Sequence, residues 1–231
     1  MGLKADIEAS VAKIFGDQWT IRNGLKVPDT DNVALGNDAV LINGTVLYAD
    51  LDGSTAMVDH NKKHFSAEVY KAYLDCTARI IKSEGGTIVS YDGDRIMAVF
   101  TGDYKNTTAV RCALKINWSV KNIVTPALKN QYKIDYVVKH VVGIDTSELF
   151  VAKTGVRGDN DLVWVGPAAN YAAKLTELEP ENATWITHRV FDSMTDAAKI
   201  SSNGSQMWKA HTWTSMNNLS IYSSTFWWKV T

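Results

Sequence analysis

The 231-residue chain has little cysteine, little proline and no excess of either charge. Its two cysteines, Cys76 and Cys112, fall inside segments of helical periodicity, which argues against a disulfide framework or a zinc cluster. A reducing cytoplasm is the expected location. Lys and Arg number 24 against 25 Asp and Glu, a formal charge of −1. Nucleic-acid binders carry a basic stripe, so no nucleic-acid partner is expected. No run of 18 apolar residues occurs, and no membrane span is expected. The first 20 residues carry charges throughout and show no apolar run of the kind a signal peptide needs. With 15 glycines, four prolines and 45% hydrophobic residues, the composition is that of an ordinary globular chain. At this length folding can bury about 70–75% of the unfolded surface, so no covalent or metal staple is required. Tryptophan is the exception to this ordinariness. Four of the eight (Trp208, Trp213, Trp227 and Trp228) crowd the last 24 residues.

Apolar residues at Ile7, Val11, Ile14 and Phe15 predict an amphipathic helix over 5–19, followed by an Asn-, Asp- and Gly-rich loop over 20–39. A strand runs from Val40 and breaks at the turn 50–55. A helix over 65–82 ends at Gly85-Gly86, and strands 87–91 and 95–100 form a hairpin around Asp92-Gly93. A helix over 107–122, a strand over 132–145, a second hairpin (148–153 with 162–165), a helix from Pro167 to about Leu178 and a strand over 184–187 complete the reading. The order predicts an α+β fold of the ferredoxin-like kind, a mixed, mostly antiparallel sheet with helices packed on it. The tail residues Trp213, Leu219, Ile221 and Tyr222 read as strand closing that sheet.

Two carboxylates stand where chemistry is expected. Asp50 ends the first long strand and Asp94 sits at the tip of the following hairpin, so adjacent sheet ends present two hard-oxygen ligands suited to Mg²⁺ or Mn²⁺. The turn Asp52-Gly53-Ser54-Thr55 precedes a helical segment and is placed to cradle a phosphate with its backbone N–H groups. An Asp-Gly turn is by itself ordinary turn chemistry.

Four segments in order carry a family resemblance. Tyr48-Ala49-Asp50-Leu51-Asp52-Gly53-Ser54-Thr55 and Gly93-Asp94-Arg95-Ile96-Met97-Ala98-Val99-Phe100 resemble the two metal motifs of the class III nucleotidyl cyclases. Gly143-Ile144-Asp145-Thr146 resembles that family's Gly-Ile-His-Thr strand end, with Asp in place of His. Trp164 to Leu175 resembles its Gly-x-x-Val-Asn-x-Ala-Ala-Arg-Leu helix, with Lys174 where Arg is usual. The resemblance spans roughly residues 43–190. It implies a cyclase palm as catalytic domain over 40–200, preceded by the helix and loop of 1–39 and completed by the Trp-rich extension 201–231. It implies two divalent ions (Mn²⁺ or Mg²⁺) at Asp50, the Leu51 carbonyl and Asp94, and a homodimer with composite active sites. The partner would supply Asn170 to orient the ribose and Lys174 to meet charge on the α-phosphate.

The base-reading positions depart from the purine cyclases. Where those enzymes place a Lys four residues before the second metal Asp this chain has Ser90, and where they place a polar group three before the helix-motif Gly it has Val163. Tyr48 replaces the usual Phe, adding a hydroxyl and filling space a purine would occupy. A site lacking the groups that hydrogen-bond one base is a site for another. The pattern is similar to the bacterial pyrimidine cyclases of the Pycsar anti-phage systems. That similarity implies conversion of UTP to 3′,5′-cyclic UMP, a messenger for a separately encoded effector in antiviral defence. CTP, a purine triphosphate, or a catalytically silent nucleotide-binding module are the alternatives that the residues leave open.

Overall fold

The structure, a computed structural model, describes residues 2–231. In chain order it contains α1 (Leu3–Gly16), β1 (Thr20–Asn23), β2 (Asp38–Asp52), α2 (Ser54–His60), α3 (Lys63–Ser83), β3 (Thr87–Asp92) and β4 (Arg95–Phe100). There follow α4 (Lys105–Ser119), a π-turn (Val120–Val124), α5 (Thr125–Tyr132), β5 (Lys139–Val156), β6 (Asp159–Val165) and α6 (Pro167–Leu175). β7 (Thr184–Thr187), α7 (His188–Ser193), β8 (Lys209–Trp213) and β9 (Leu219–Ser224) close the chain. One sheet runs in the order β3-β4-β2-β5-β7-β9-β8, with β1 beside β2 and β6 beside β5. All pairings are antiparallel except β1 with β2 and β5 with β7.

The axis of the fold is the long pairing of β2 with β5, in register from Ala39–Ala152 to Asp52–Lys139. Strand alternation divides β2 between two cores. Leu47, Ala49 and Leu51 face α3, α4 and α7 in the larger core, which also takes Phe65, Tyr73, Leu114 and Ile144. Val40, Ile42 and Val46 face the other way, with Met97, Val99, Leu149 and Val151, and are covered by Val33 and by Ala168, Ala169 and Ala172 of α6. Small residues let α6 lie close: a Cβ on Gly143 of β5 would stand 2.1 Å from the Ala172 carbonyl oxygen. Beyond α6 this second face is half-open, with Tyr48, Val89, Leu162 and Trp164 only partly buried. Tyr48, and by the same alternation Asp50, belong to this face.

Several expectations need correction. Residues 133–138 are not strand, and the expected break near Asp145 is absent. β5 is one continuous strand because β2 pairs with it throughout, leaving no room for a turn. The loop over 20–39 contains β1, a four-residue strand without alternation that exists through its parallel pairing with β2. The helix expected to end at 122 continues through the π-turn into α5, with Pro126, which has no N–H to donate, directly after the π-turn. The tail does form strands, β9 pairing β7 and β8 forming the sheet edge. Trp228 then runs back over α4, its N–H donating to the Leu114 carbonyl at 3.1 Å.

Candidate active site

Asp50 lies near the C-terminal end of β2, and Asp94 in the β3–β4 turn that Gly93 makes with a positive φ of 61°. The registers Ala49–Ile96 and Asp92–Arg95 bring the two ends together. Asp50 Oδ2 accepts two hydrogen bonds from Arg95, from Nη2 at 2.9 Å and Nε at 3.1 Å. Burial raises the Asp50 pKa, with Arg95 acting in the opposite direction. Asp94 Oδ2 is buried without a hydrogen-bond partner. Tyr73 of α3, wholly buried, lies close enough to feel both carboxylates; burial and their charges hold its phenol well above the ordinary range. A buried carboxylate oxygen lacking a donor is costly unless a cation meets it. The Asp50 and Asp94 carboxylates are therefore oxygen ligands of the kind a hard divalent ion would fit, with Leu51 next to Asp50 in the chain. Among the described residues no group of three or more His, Cys, Asp or Glu side chains is arranged to hold a metal ion.

A row crosses the sheet on the half-open face. Ser90 is opposite Met97, Met97 opposite Tyr48, and Tyr48 opposite Gly143 beneath α6. The Tyr48 ring lies 6.0 Å from the Arg95 guanidinium, and burial raises its pKa. Tyr48 and Ser90 thus share the face of Asp50. Arg95 was not singled out by sequence reasoning. The signal was present, since Arg95 has the strand parity of Met97 and directly follows Asp94.

Val163 lies elsewhere. On β6 the alternation turns Leu162 and Trp164 toward the second core and Val163 toward a cleft bordered by α1 and Trp19. The structure does not bring Val163 to Tyr48 and Ser90. The turn residues Asp52 to Thr55 lead into α2, with Gly53 in the left-handed region (φ 72°) and no side chain capping the first turn. Asn170 and Lys174 are exposed on α6, one turn apart, the Lys174 ammonium 3.8 Å from Met216 Sδ. Asp145 is fully buried where the resembled family has His. It accepts from Thr187 and Arg189, burial raises its pKa, and the Arg189 guanidinium sits 5.5 Å over the ring of Tyr171, next to Asn170.

With this geometry in place, comparison with known proteins is informative. Over its full length the chain is 53% identical to a uridylate cyclase of Xanthomonas perforans and 48% identical to one of Burkholderia cepacia, covering all of each. It is 36% identical to a uridylate cyclase of Rhodovulum sp. (strain MB263), with 98% of both chains covered. The chain belongs to the uridylate cyclase family. Solved structures share the fold at low identity. The guanylyl cyclase Cya2 superposes with a TM-score of 0.68 at 18% identity, over 81% of this chain and 94% of that one. The adenylyl cyclase CyaB from P. aeruginosa gives 0.66 at 19%, over 80% and 95%. No family model matches the chain. As a member of this family the chain is a nucleotidyl cyclase with the class III cyclase fold. Among the described residues no helix is long and apolar enough to cross a membrane.

Proposed function

We propose that this cyclase converts UTP to 3′,5′-cyclic UMP and pyrophosphate. Full-length similarity to three uridylate cyclases supports the reading, and the observation that carries the chemistry is the partly buried carboxylate pair Asp50 and Asp94 at one end of the sheet. When bound at Asp50, the Leu51 carbonyl and Asp94, two divalent ions (Mn²⁺ or Mg²⁺) supply activation of the ribose 3′-hydroxyl and neutralisation of the leaving pyrophosphate. The chain's own groups bind and orient. Tyr48, with its hydroxyl, and Ser90 face the base and narrow the space a purine would need. The backbone N–H groups of Ser54 and Thr55 after Gly53, with Asp52 leading into the turn, hold terminal phosphate oxygens. Asn170 orients the ribose, and Lys174, a point charge where the family has a guanidinium fork, meets the charge growing on the α-phosphate.

Asn170 and Lys174 project from the exposed side of α6, so the reading places them in the site of a partner copy, two copies forming composite sites. The product acts as a second messenger on a separate effector in antiviral defence, and the cyclase works in the cytoplasm. The test is incubation with Mn²⁺ or Mg²⁺ and each of UTP, CTP, ATP and GTP, with products identified by mass. Cyclic UMP as the main product is expected. Cyclic AMP or cyclic GMP as the main product refutes the pyrimidine reading, and cyclic CMP refutes the choice of UTP.

A further inference from the structure

Side chains from five elements meet at Tyr171 and Arg189. Arg189 lies in the first turn of α7, just beyond the end of β7. Its guanidinium grips Asp145 of β5, with Nε donating to Oδ1 at 3.2 Å and Nη2 donating to Oδ2. The hydroxyl of Thr187, the last residue of β7, donates to the same carboxylate. Asp145 is wholly buried and the Arg189 side chain is 42% exposed, so the fork is anchored along its inner edge. An arginine held through two donors keeps one plane, whereas a lysine pivots about a point. The guanidinium carbon lies 5.5 Å from the ring centre of Tyr171 on α6. Trp213 of β8 meets the same ring edge-on, at 6.3 Å between centroids.

α6 has little else to stop it turning about its own axis. It buries Ala168, Ala169, Ala172 and Leu175, and Gly143 on the strand below presents no side chain to it. Helices lock against neighbours by ridges of side chains, and three methyl groups over a glycine make a low ridge. Its start is tied where the Ala168 N–H donates to Ser147 Oγ at 3.1 Å, and Leu175 is the one large side chain it buries. Asn170 and Lys174 stand on the exposed side. Side chains reach about 5–6 Å from a helix axis, so a rotation of about 10° carries them about 1 Å. A displacement of that size in positioning groups costs on the order of 100-fold in rate.

We propose that Arg189 is a positioning residue for the cyclisation: pinned by Asp145, it sets the rotation of α6 through the Tyr171 ring, and with it the places of Asn170 and Lys174. Tyr171 transmits the constraint because it directly follows Asn170 and stands one turn before Lys174, its surface neighbour at three residues' spacing. Arg189 touches neither the nucleotide nor the cations in this scheme. It acts by holding a plane against a ring. The inference rests on the roles proposed above for Asn170 and Lys174.

The experiment measures kcat, KM for UTP at saturating Mn²⁺ and Tm in the full-length chain and four variants. Arg189→Lys keeps the charge beside Asp145 and loses the fork. Tyr171→Leu removes the ring and leaves the Asp145–Arg189 pair intact, so it reports even where Arg189→Lys fails to fold. Tyr171→Phe keeps the ring face, and Arg189→Lys/Tyr171→Leu combines the two losses. Arg189→Lys and Tyr171→Leu should each lower kcat at least about tenfold with KM within about threefold of wild type. Tyr171→Phe should stay within about twofold of wild type, since the ring face is what the cation meets. The double variant should be no slower than the slower single, because residues acting as one unit do not add. A role in stability alone would lower Tm and leave kcat per folded chain unchanged. Wild-type kcat in folded Tyr171→Leu overturns the proposal, as does a loss confined to KM or a Tyr171→Phe variant as slow as Tyr171→Leu. Asn170→Ala separates the two levels. Slow turnover there beside wild-type turnover in Tyr171→Leu removes the inference alone, and wild-type turnover in Asn170→Ala removes the reading of α6 and the inference with it.

Discussion

Gly143→Ala tests the seat of α6. Gly143 lies near the start of β5, opposite Tyr48 and beside Trp185 of β7. An added Cβ would stand 2.1 Å from the Ala172 carbonyl oxygen and 2.8 Å from Leu175 Cβ. The oxygen belongs to helix backbone, so no rotamer change relieves the clash. Contact distance is about 1 Å longer, and α6 must back away from the sheet by about that much. Overpacking of this kind costs about 1–3 kcal/mol. For a chain of this length that lowers Tm by about 3–10 °C. The larger effect falls on turnover. α6 carries Asn170 and Lys174, and a 1 Å misplacement of positioning groups costs on the order of 100-fold in rate. Thermal melts followed by circular dichroism, with rates of cyclic product formation at saturating nucleotide, measure both. A variant with wild-type Tm and rate would refute the seating of α6 on Gly143.

Asp50→Asn and Asp94→Asn should each reduce turnover by at least about 100-fold while leaving the melting temperature nearly unchanged; substantial activity in either removes that carboxylate from the site. An equimolar mixture of Asp50→Asn and Asn170→Ala chains should recover about a quarter of wild-type activity, since half the dimers are mixed and each mixed dimer has one intact site. Recovery indistinguishable from the two variants alone would exclude shared sites. The His140 imidazole, fully buried and near Lys121, is pushed down to about 3. The unfolded chain binds that proton near pH 6.5 and the folded chain only near 3. Its contribution to stability is therefore complete above pH 6.5 and is lost as the pH falls toward 3, by at most about 1.4 kcal/mol per unit. Urea unfolding of wild type and His140→Leu at pH 7 and 5 should show a smaller acid loss in the variant; equal losses would refute a buried neutral histidine.

The parts of the site legible in the sequence are those fixed by local chemistry. A strand ending in Asp50 and an Asp-Gly hairpin tip are written in periods of two and in turn residues, and the structure brings these ends together. What depends on pairing between distant segments was hidden. β5 reads as two strands because Asp145, Ser147 and Glu148 interrupt its apolar pattern. Asp145 is in fact inside the fold, its charge met by Arg189 from 44 residues further on. Val163 shows what counting from a motif leaves out: three residues before Gly166, it lies on the face of β6 opposite Leu162 and Trp164, and strand parity rather than the motif sets that face. Arg95 carries no motif signal of its own; the β2–β4 register delivers it to Asp50.

The near-zero net charge of the chain hides a local imbalance that bears on the chemistry. Asp50, Asp52, Asp92 and Asp94 cluster at one end of the sheet. Arg95 feels Asp50 and Asp92, and Asp50 feels Asp94. Arg95, bonded to Asp50, is the guanidinium set against them. A triphosphate approaching this end would meet net negative charge in a site whose burial weakens solvent screening. Neither the carboxylates nor the triphosphate can be accommodated by the other alone, and one arginine is too little for both. On the proposed reading, Asp50 and Asp94 would hold divalent cations whose charge would offset both repulsions. The same step would compete with Arg95 for Asp50 and leave the guanidinium on the Tyr48 side of the site, among the groups proposed to meet the base. On the proposed reading, the carboxylates that would repel the triphosphate are the groups that would tie its binding to that of the cations.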